Sequence, residues 1–274
     1  PGSRDPFYGE SPIMSEIELS PAQRDLLRDR LSKYCEETFN LELEQFDAEF
    51  FVDFIAQELG PLFYNAGIEE AIRTHLPAVH RVSSYCLARN LTKKSVAELK
   101  SLADAGLRLA YLGAESGDDE VLARVNKGET FESTRTALDK LGEAGITRSV
   151  MILNGLGGQQ LSAQHADNSA RLANATQPEY LSTLVVSFPQ GEDRFRTGFP
   201  EWEPLGQHGL FVEMERFLSQ LELRRTVFRS DHASNWLVLK GTLGADKARL
   251  LAQVRASIAQ PESAPLRPAW LRGL

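Results

Sequence analysis

Glu115 and Asn154 are the two side chains best placed to meet a ligand. Each closes an apolar run of strand length, Arg108-Leu-Ala-Tyr-Leu-Gly-Ala-Glu115 in one case and Ser149-Val-Met-Ile-Leu-Asn154 in the other. Each run gives way to a small-residue turn, Ser116-Gly117 or Gly155-Leu-Gly-Gly158, and each turn opens a helical stretch. Strand, turn and helix repeated in this way are the mark of a parallel sheet, in which ligands gather at the carboxyl ends of the strands. A carboxylate there offers only acceptors, and glycines there let backbone approach a ligand closely. The Gly155 turn would also suit a phosphate-bearing ligand. Read singly, these residues have plainer meanings. Glu115 alone reads as a solvated strand-end carboxylate, Lys127 as a lysine closing a helix on Gly128, and the glycines as a tight turn.

The elements that must hold these residues fit within 274 residues, room for one large domain or for a small one and a medium one. The 42% hydrophobic content is that of a globular chain with a real core. Residues 1–75 carry 16 acidic and 6 basic side chains; with a whole-chain charge of −8, the rest carries about +2. That asymmetry points to two units of different character. No basic patch suits nucleic acid, and no apolar run reaches the ~18 residues of a membrane span. With two cysteines, Cys35 and Cys86, a disulfide framework is excluded and a reducing cytoplasm is the expected setting.

In chain order, residues 1–13 read as a flexible leader, with Met14 as the natural start. Ser20-Pro-Ala-Gln23 opens a helix through a capping box, and Leu26, Leu27, Leu31, Tyr34, Cys35 and Phe39 give it an inward stripe. A second helix is predicted over Gln45–Leu59 with Phe46, Phe50, Phe51, Phe54, Ile55 and Leu59 inward, ended by Gly60-Pro61. A third runs from near Leu62 to His75. Strands are then predicted from Arg81 to Cys86, Leu107 to Ala114, Arg148 to Leu153 and Tyr180 to Ser187. Helices come between them over Lys93–Ala105, Asp118–Val125, Thr130–Ala144 and Ser162–Asn174. A helix over Leu210–Glu222, short extended pieces Thr226–Arg229 and Trp236–Leu239, and a helix over Asp246–Ile258 complete the chain. The Pro-rich tail, residues 260–274, is expected to be loose.

The acidic N-terminal part resembles the family called domain of unknown function 2164. The matching pieces are Ile17-Glu-Leu-Ser20, Phe50-Phe-Val-Asp-Phe-Ile55, Glu58-Leu-Gly-Pro-Leu-Phe-Tyr-Asn65 and Gly67-Ile68. The likeness makes residues 14–71 a small all-α segment and brings no chemistry with it.

Residues 72–259 resemble the later part of a radical S-adenosylmethionine (SAM) enzyme. The pieces that carry this are Tyr111-Leu-Gly-Ala-Glu115-Ser-Gly-Asp-Asp-Glu-Val-Leu122, Asn126-Lys127-Gly, Ala144-Gly145-Ile and Gly155-Leu-Gly-Gly158. Arg229-Ser-Asp-His-Ala-Ser-Asn235 and Leu239-Lys-Gly241 look like the closing part of one bacterial subgroup. The resemblance implies an α/β fold, an incomplete (β/α) barrel of parallel strands, and a cofactor-binding set of Glu115, Ser116, Lys127, Asn154, Gly155 and Gly157. In that set Glu115 would take the ribose hydroxyls of SAM and Lys127 would meet its methionine carboxylate, a charge-assisted contact. Met151 stands where members often carry a polar side chain.

Intact members hold a [4Fe-4S] cluster on three thiolates of a CxxxCxxC loop. Here the two cysteines lie 51 positions apart and neither is in such a loop. Cys86 reads as a small apolar strand residue and Cys35 as core. No catalytic residue and no metal ligand are therefore assigned, and an adenosyl small molecule is the expected partner. A sheet beginning with Arg81–Cys86 would also leave an open edge. Asp231 and His232 read either as an acid pair or as surface loop residues. Two other readings stand beside the first: a noncatalytic interaction protein that uses the acidic hairpin, and a fusion product with no selected function.

Overall fold

A computed structural model describes residues 19–55, 81–188 and 191–272. The chain divides into two compact units, Pro1–Val79 and His80–Leu274. The leader, Met14, the last residues of the second predicted helix, the third helical segment and the junction near residue 72 lie outside the described residues.

In the first unit, α1 (Pro21–Phe39) starts as its sequence requires. The Gln23 amide bonds the Ser20 hydroxyl, and the Gln23 side chain returns to the Ser20 backbone. Asn40 ends the helix in the left-handed conformation at φ 52°. Helix α2 (Gln45–Phe54) follows. The pair closes on small residues: among the described residues, Cys35, Ala48 and Val52 are the buried apolar side chains. This corrects the expected aromatic stripe. Phe50, Phe51 and Phe54 are exposed on α2, and Leu26, Tyr34 and Phe39 on α1. Ala48 and Val52 lie four apart on one helical line, which the phenylalanines flank. Arg24 pairs with Asp53, and Arg28 with Glu49 at 3.7 Å, along the same seam.

The second unit is an α/β structure around a six-stranded, mostly parallel sheet. Its strands are β1 (Val82–Cys86), β2 (Leu107–Glu115), β3 (Thr147–Asn154), β4 (Tyr180–Val185), β5 (Val227–Ser230) and β6 (Leu239–Thr242). They lie side by side in sequence order; β1 to β5 run parallel and β6 returns antiparallel to β5. Between them run α3 (Ala88–Thr92), α4 (Val96–Asp104), α5 (Asp119–Arg124), α6 (Phe131–Glu143), α7 (Gly158–Thr176), α8 (Asp193–Gly198) and α9 (Gln207–Gln220), and α10 (Lys247–Ala259) follows β6. Capping boxes at Ser95/Glu98 and Thr130/Ser133 and an Asp118 side-chain cap start α4, α6 and α5. One sheet face, with Ala110, Leu112, Val150, Ile152, Leu181 and Phe228, joins the helices in a single core.

Several boundaries differ from expectation. The last strand is Leu239–Thr242, because Gly241 and Lys240 form the ladder to β5, while Leu237 instead bridges to Leu266 in the tail. The tail is held rather than loose: Arg267 bonds the carbonyls of Asp231, His232 and Asn235, and Arg272 stacks over Trp236 at 3.7 Å. Among the described residues β1 ends the sheet, with Tyr85 76% exposed.

Arg148 ties the start of β3 to the turn before β4. It bonds the Thr176 and Gln177 carbonyls and both oxygens of Glu179, the closest at 2.7 Å. Burial pushes the Glu179 carboxyl up, but the Arg148 guanidinium and amide outweigh it, and the net position is below the usual 4.5. A carboxyl lowered in the folded state adds stability that is complete above its unfolded value and fades as pH falls through the folded one. The stability difference between wild type and Glu179→Gln, read from urea midpoints, is therefore expected to shrink in acid. A difference independent of pH would refute the assignment.

Candidate functional site

The site is built where β2 ends. Strand pairing slips there: Gly113 faces Met151, and Glu115, two residues on, faces Ile152. This bulge puts Glu115 at φ 63°, a left-handed conformation that costs a non-glycine residue on the order of 1 kcal/mol and is seen where surroundings impose it. The carboxylate folds back over Gly113, and a Cβ on that glycine would lie 2.4 Å from Glu115 Oε1. The absent side chain at position 113 is thus the seat of the carboxylate.

Lys127 reaches the same place from the end of α5. Asn126 and Gly128, both at positive φ, bend the chain around it. Arg89 of α3 bonds the Lys127 carbonyl at 2.7 Å and pairs with Glu129 at 3.2 Å, which pins the loop. Lys127 Nζ donates to Glu115 Oε1 at 3.0 Å, and the two side chains are only 16% and 24% exposed. Glu115 Oε2 and the remaining ammonium hydrogens have no partner among the described residues. The pair thus presents an oxygen that can accept from hydroxyls beside an ammonium that can donate to a carboxylate.

Ser116 turns into the fold. It is wholly buried; its hydroxyl donates to His165 Nδ1 at 2.8 Å and accepts the Asp118 amide at 2.9 Å. His165 Nε2 donates to the Leu153 carbonyl at 3.0 Å, so one imidazole of α7 fastens the turn after β2 to the end of β3. Sequence reasoning passed over His165. The available signal is its spacing of four from Ser169, a buried polar pair on one face of α7, with Ser169 accepting the Gly117 amide.

The second strand end is also arranged differently from expectation. Asn154 pairs with Val185, and its side chain, 5% exposed, points to the helix-covered face among Leu210, Phe211 and Met214. Its Oδ1 has no partner among the described residues. The turn after it is closed to an anion. The Gly155 amide is taken by the buried carboxylate of Glu213 at 2.6 Å, and the same carboxylate accepts the Ser162 hydroxyl. Residues 201–204 cover the start of α7: the Gln159 amide bonds the Glu203 carbonyl, and a Cβ on Gly158 would meet Trp202 at 2.7 Å. Gly157 is tight against Leu161 and His165. Asn154, Gly155 and Gly157 therefore build the strand–helix corner, while Glu115 and Lys127 keep an unpartnered carboxylate oxygen and ammonium hydrogens at the end of β2.

Asp231 and His232 are not partnered as acid and base. Asp231 is held by Lys240 at 2.9 Å, which keeps its carboxyl below the usual range, and His232 Nδ1 turns to Ser234. An iron–sulfur cluster does not fit the residues present. Cys35 is buried within α1, and burial pushes the Cys86 thiol up to about 11, away from the thiolate that ligates iron. Two cysteines cannot supply three thiolates. Among the described residues no three His, Cys, Asp or Glu side chains converge as metal ligands. Among the described residues, too, no helix is long and apolar enough to cross a membrane.

Comparison with known proteins adds the following. The family model DUF2164, described as an uncharacterized conserved protein, matches residues 17–90 and so runs on past residue 71 into β1 and α3. No curated protein matches the chain. Among solved structures the chain is similar to the archaeal Methanocaldococcus infernus Elp3 with an N-terminal deletion, at 14% identity and a TM-score of 0.45. That alignment covers 69% of this chain and 47% of the other, so the chain spans about half the length of that protein.

Proposed function

We propose that residues 72–259 form a partial (β/α) barrel of the radical-SAM type that binds an adenosyl ligand through Glu115 and Lys127. The observation that carries this reading is Glu115 itself: a non-glycine residue held at positive φ, its carboxylate seated on Gly113 and bonded to Lys127. Conformational strain at a strand end is maintained where the side chain has a task there. SAM supplies a vicinal diol for Glu115 and an α-carboxylate for Lys127, and it has the size of a ligand that a strand-end crevice accepts. With no set of thiolates to hold a cluster, this chain's own residues bind the cofactor without generating a radical from it.

Isothermal titration of the full chain with SAM tests the proposal. Binding is expected, and Glu115→Ala is expected to weaken it about tenfold or more, the loss of a charge-assisted acceptor. Equal affinity in wild type and variant, or no binding, overturns the proposal. A second reading has one observation in its favour. The exposed Phe50, Phe51 and Phe54 on α2, with Tyr34 and Phe39 on α1, suit a noncatalytic interaction role for the acidic hairpin. SAM affinity that ignores Glu115→Ala would favour it.

A further inference from the structure

The Arg229-Ser-Asp-His-Ala-Ser-Asn235 segment, which the Glu115–Lys127 pair leaves unused, stands at one side of the sheet face opposite the helix-packed core. Ser182 of β4, Arg229 of β5 and Lys240 of β6 are in register there. Arg229, Asp231 and His232, with Ser182 and Met151, line part of a groove of about 630 Å³, within the range of small-molecule sites. The short Ser182 side chain beside Arg229 keeps the floor low.

The loop after β5 is held from several sides. The Val185 amide donates to Ser234 Oγ at 3.1 Å and to Asn235 Oδ1 at 3.0 Å, and Asn235 Nδ2 donates to the Thr183 carbonyl at 2.8 Å. His232 is exposed on this loop. Its Nδ1 accepts the Ser234 amide at 3.2 Å, so the ring hydrogen stands on Nε2, which has no partner among the described residues. Arg229, also exposed, makes no hydrogen bond or ion pair among the described residues.

The charge around this loop is positive. Between residues 229 and 240 Asp231 is the only acid, and Lys240 already holds it at 2.9 Å, so the Arg229 charge stays uncancelled. Arg267 and Arg272 add two guanidiniums that bond, among the described residues, to carbonyls alone: Arg267 to those of Asp231, His232 and Asn235, and Arg272 to that of Ser234. Burial and the nearby Arg267 hold the Arg272 guanidinium below its usual range. Four cations against one carboxylate leave three positive charges in excess. A concave site with such an excess gathers anions, and a doubly charged oxyanion answers it better than a singly charged one.

We propose that this side of the groove binds a small phosphomonoester, its phosphate taken by the Arg229 guanidinium and the His232 Nε2 hydrogen, its body over Ser182 toward Met151. Arginine suits the task because its planar fork matches two phosphate oxygens at once. Arg229 and Gly113, on which Glu115 is seated, are three strands apart in register, about 14 Å at the usual strand spacing. The phosphate site is therefore distinct from the Glu115–Lys127 pair, and it does not depend on the adenosyl reading.

The test titrates the full chain, by calorimetry and phosphorus NMR, with glycerol phosphate, inorganic phosphate, lactate and glycerol. Both phosphates are expected to bind at millimolar concentration or below, lactate about tenfold more weakly, and glycerol not at all. Arg229→Gln is expected to weaken glycerol phosphate about tenfold and His232→Ala about threefold. Both positions are exposed, so the fold should be kept. Arg225→Gln, at another exposed arginine just before β5, should leave the affinity unchanged. Glu115→Ala should do the same, which separates failure here from failure of the SAM titration. The proposal is overturned if neither phosphate binds, if lactate matches them, or if Arg229→Gln keeps wild-type affinity. It is also overturned if Arg225→Gln costs as much as Arg229→Gln, since the attraction would then be one of bulk charge.

Discussion

Gly117→Ala is expected to destabilise the chain by about 3 kcal/mol, a large effect for one methyl group. Gly117 lies two residues after Glu115, where the turn leaving β2 crosses α7. A Cβ there would sit 2.2 Å from the Asn168 carbonyl oxygen, 2.6 Å from its carbon and 2.8 Å from Ser169 Cα. All three are backbone atoms inside a helix, so no rotamer change makes room. Retreat of the turn would also break the Gly117 amide bond to Ser169 Oγ at 3.0 Å and pull on Asp118, whose carboxylate caps α5 through the Val121 amide. Gly145→Ala is the control. It sits at φ 76° with no atom within 4 Å of an added Cβ, so it carries conformational strain alone and should cost about 1 kcal/mol. Urea midpoints of the two variants should differ accordingly, and equal losses would show that close approach to α7 is unimportant.

The sheet and most helices were legible because their boundaries carry local signals. Gly106 and Gly145 end helices at positive φ, and Asp118, Ser95 and Thr130 start others through their own side chains. Where a boundary is set from far away, sequence was silent. Helix α7 begins at Gly158 rather than Ser162 because the remote Glu203 carbonyl takes the Gln159 amide. The 260–274 tail looked loose because its fastening is Arg267 reaching back to residues 231–235. On α2, hydrophobicity chose Phe50, Phe51 and Phe54 as inward, whereas helix contact selected the smaller Ala48 and Val52. At the site, the Glu115 position followed from the strand end, but its seat on Gly113 depends on a bulge with no sequence mark. The side that Asn154 faces is a matter of strand parity: register with Val185 turns it to the helix side. The family pattern alone could not show that Ser116 and the glycines after Asn154 are structural.

His165→Leu is expected to cost about 3 kcal/mol although leucine fills nearly the same space. The imidazole is 1% exposed and bonded at both nitrogens. Leucine would leave the Leu153 carbonyl and the Ser116 hydroxyl buried without their partner, and each such loss costs about 1–3 kcal/mol. Ser116→Ala removes the other end of the same chain and is expected to cost about 1–2 kcal/mol. Because the two side chains satisfy each other, the double variant should lose about 1 kcal/mol less than the sum of the singles. Strict additivity of the three urea midpoints, at unchanged slope, would show that the link is not energetic. The same variants also bear on binding. Ser116 follows Glu115 directly, so slack in this link frees Glu115 to leave its left-handed conformation and the seat on Gly113. SAM affinity should therefore fall with His165→Leu at temperatures where the chain is still folded. Loss of SAM affinity together with altered near-ultraviolet circular dichroism would point to general loosening of the sheet, and loss of SAM affinity with an unchanged spectrum would identify His165 as the residue that positions Glu115.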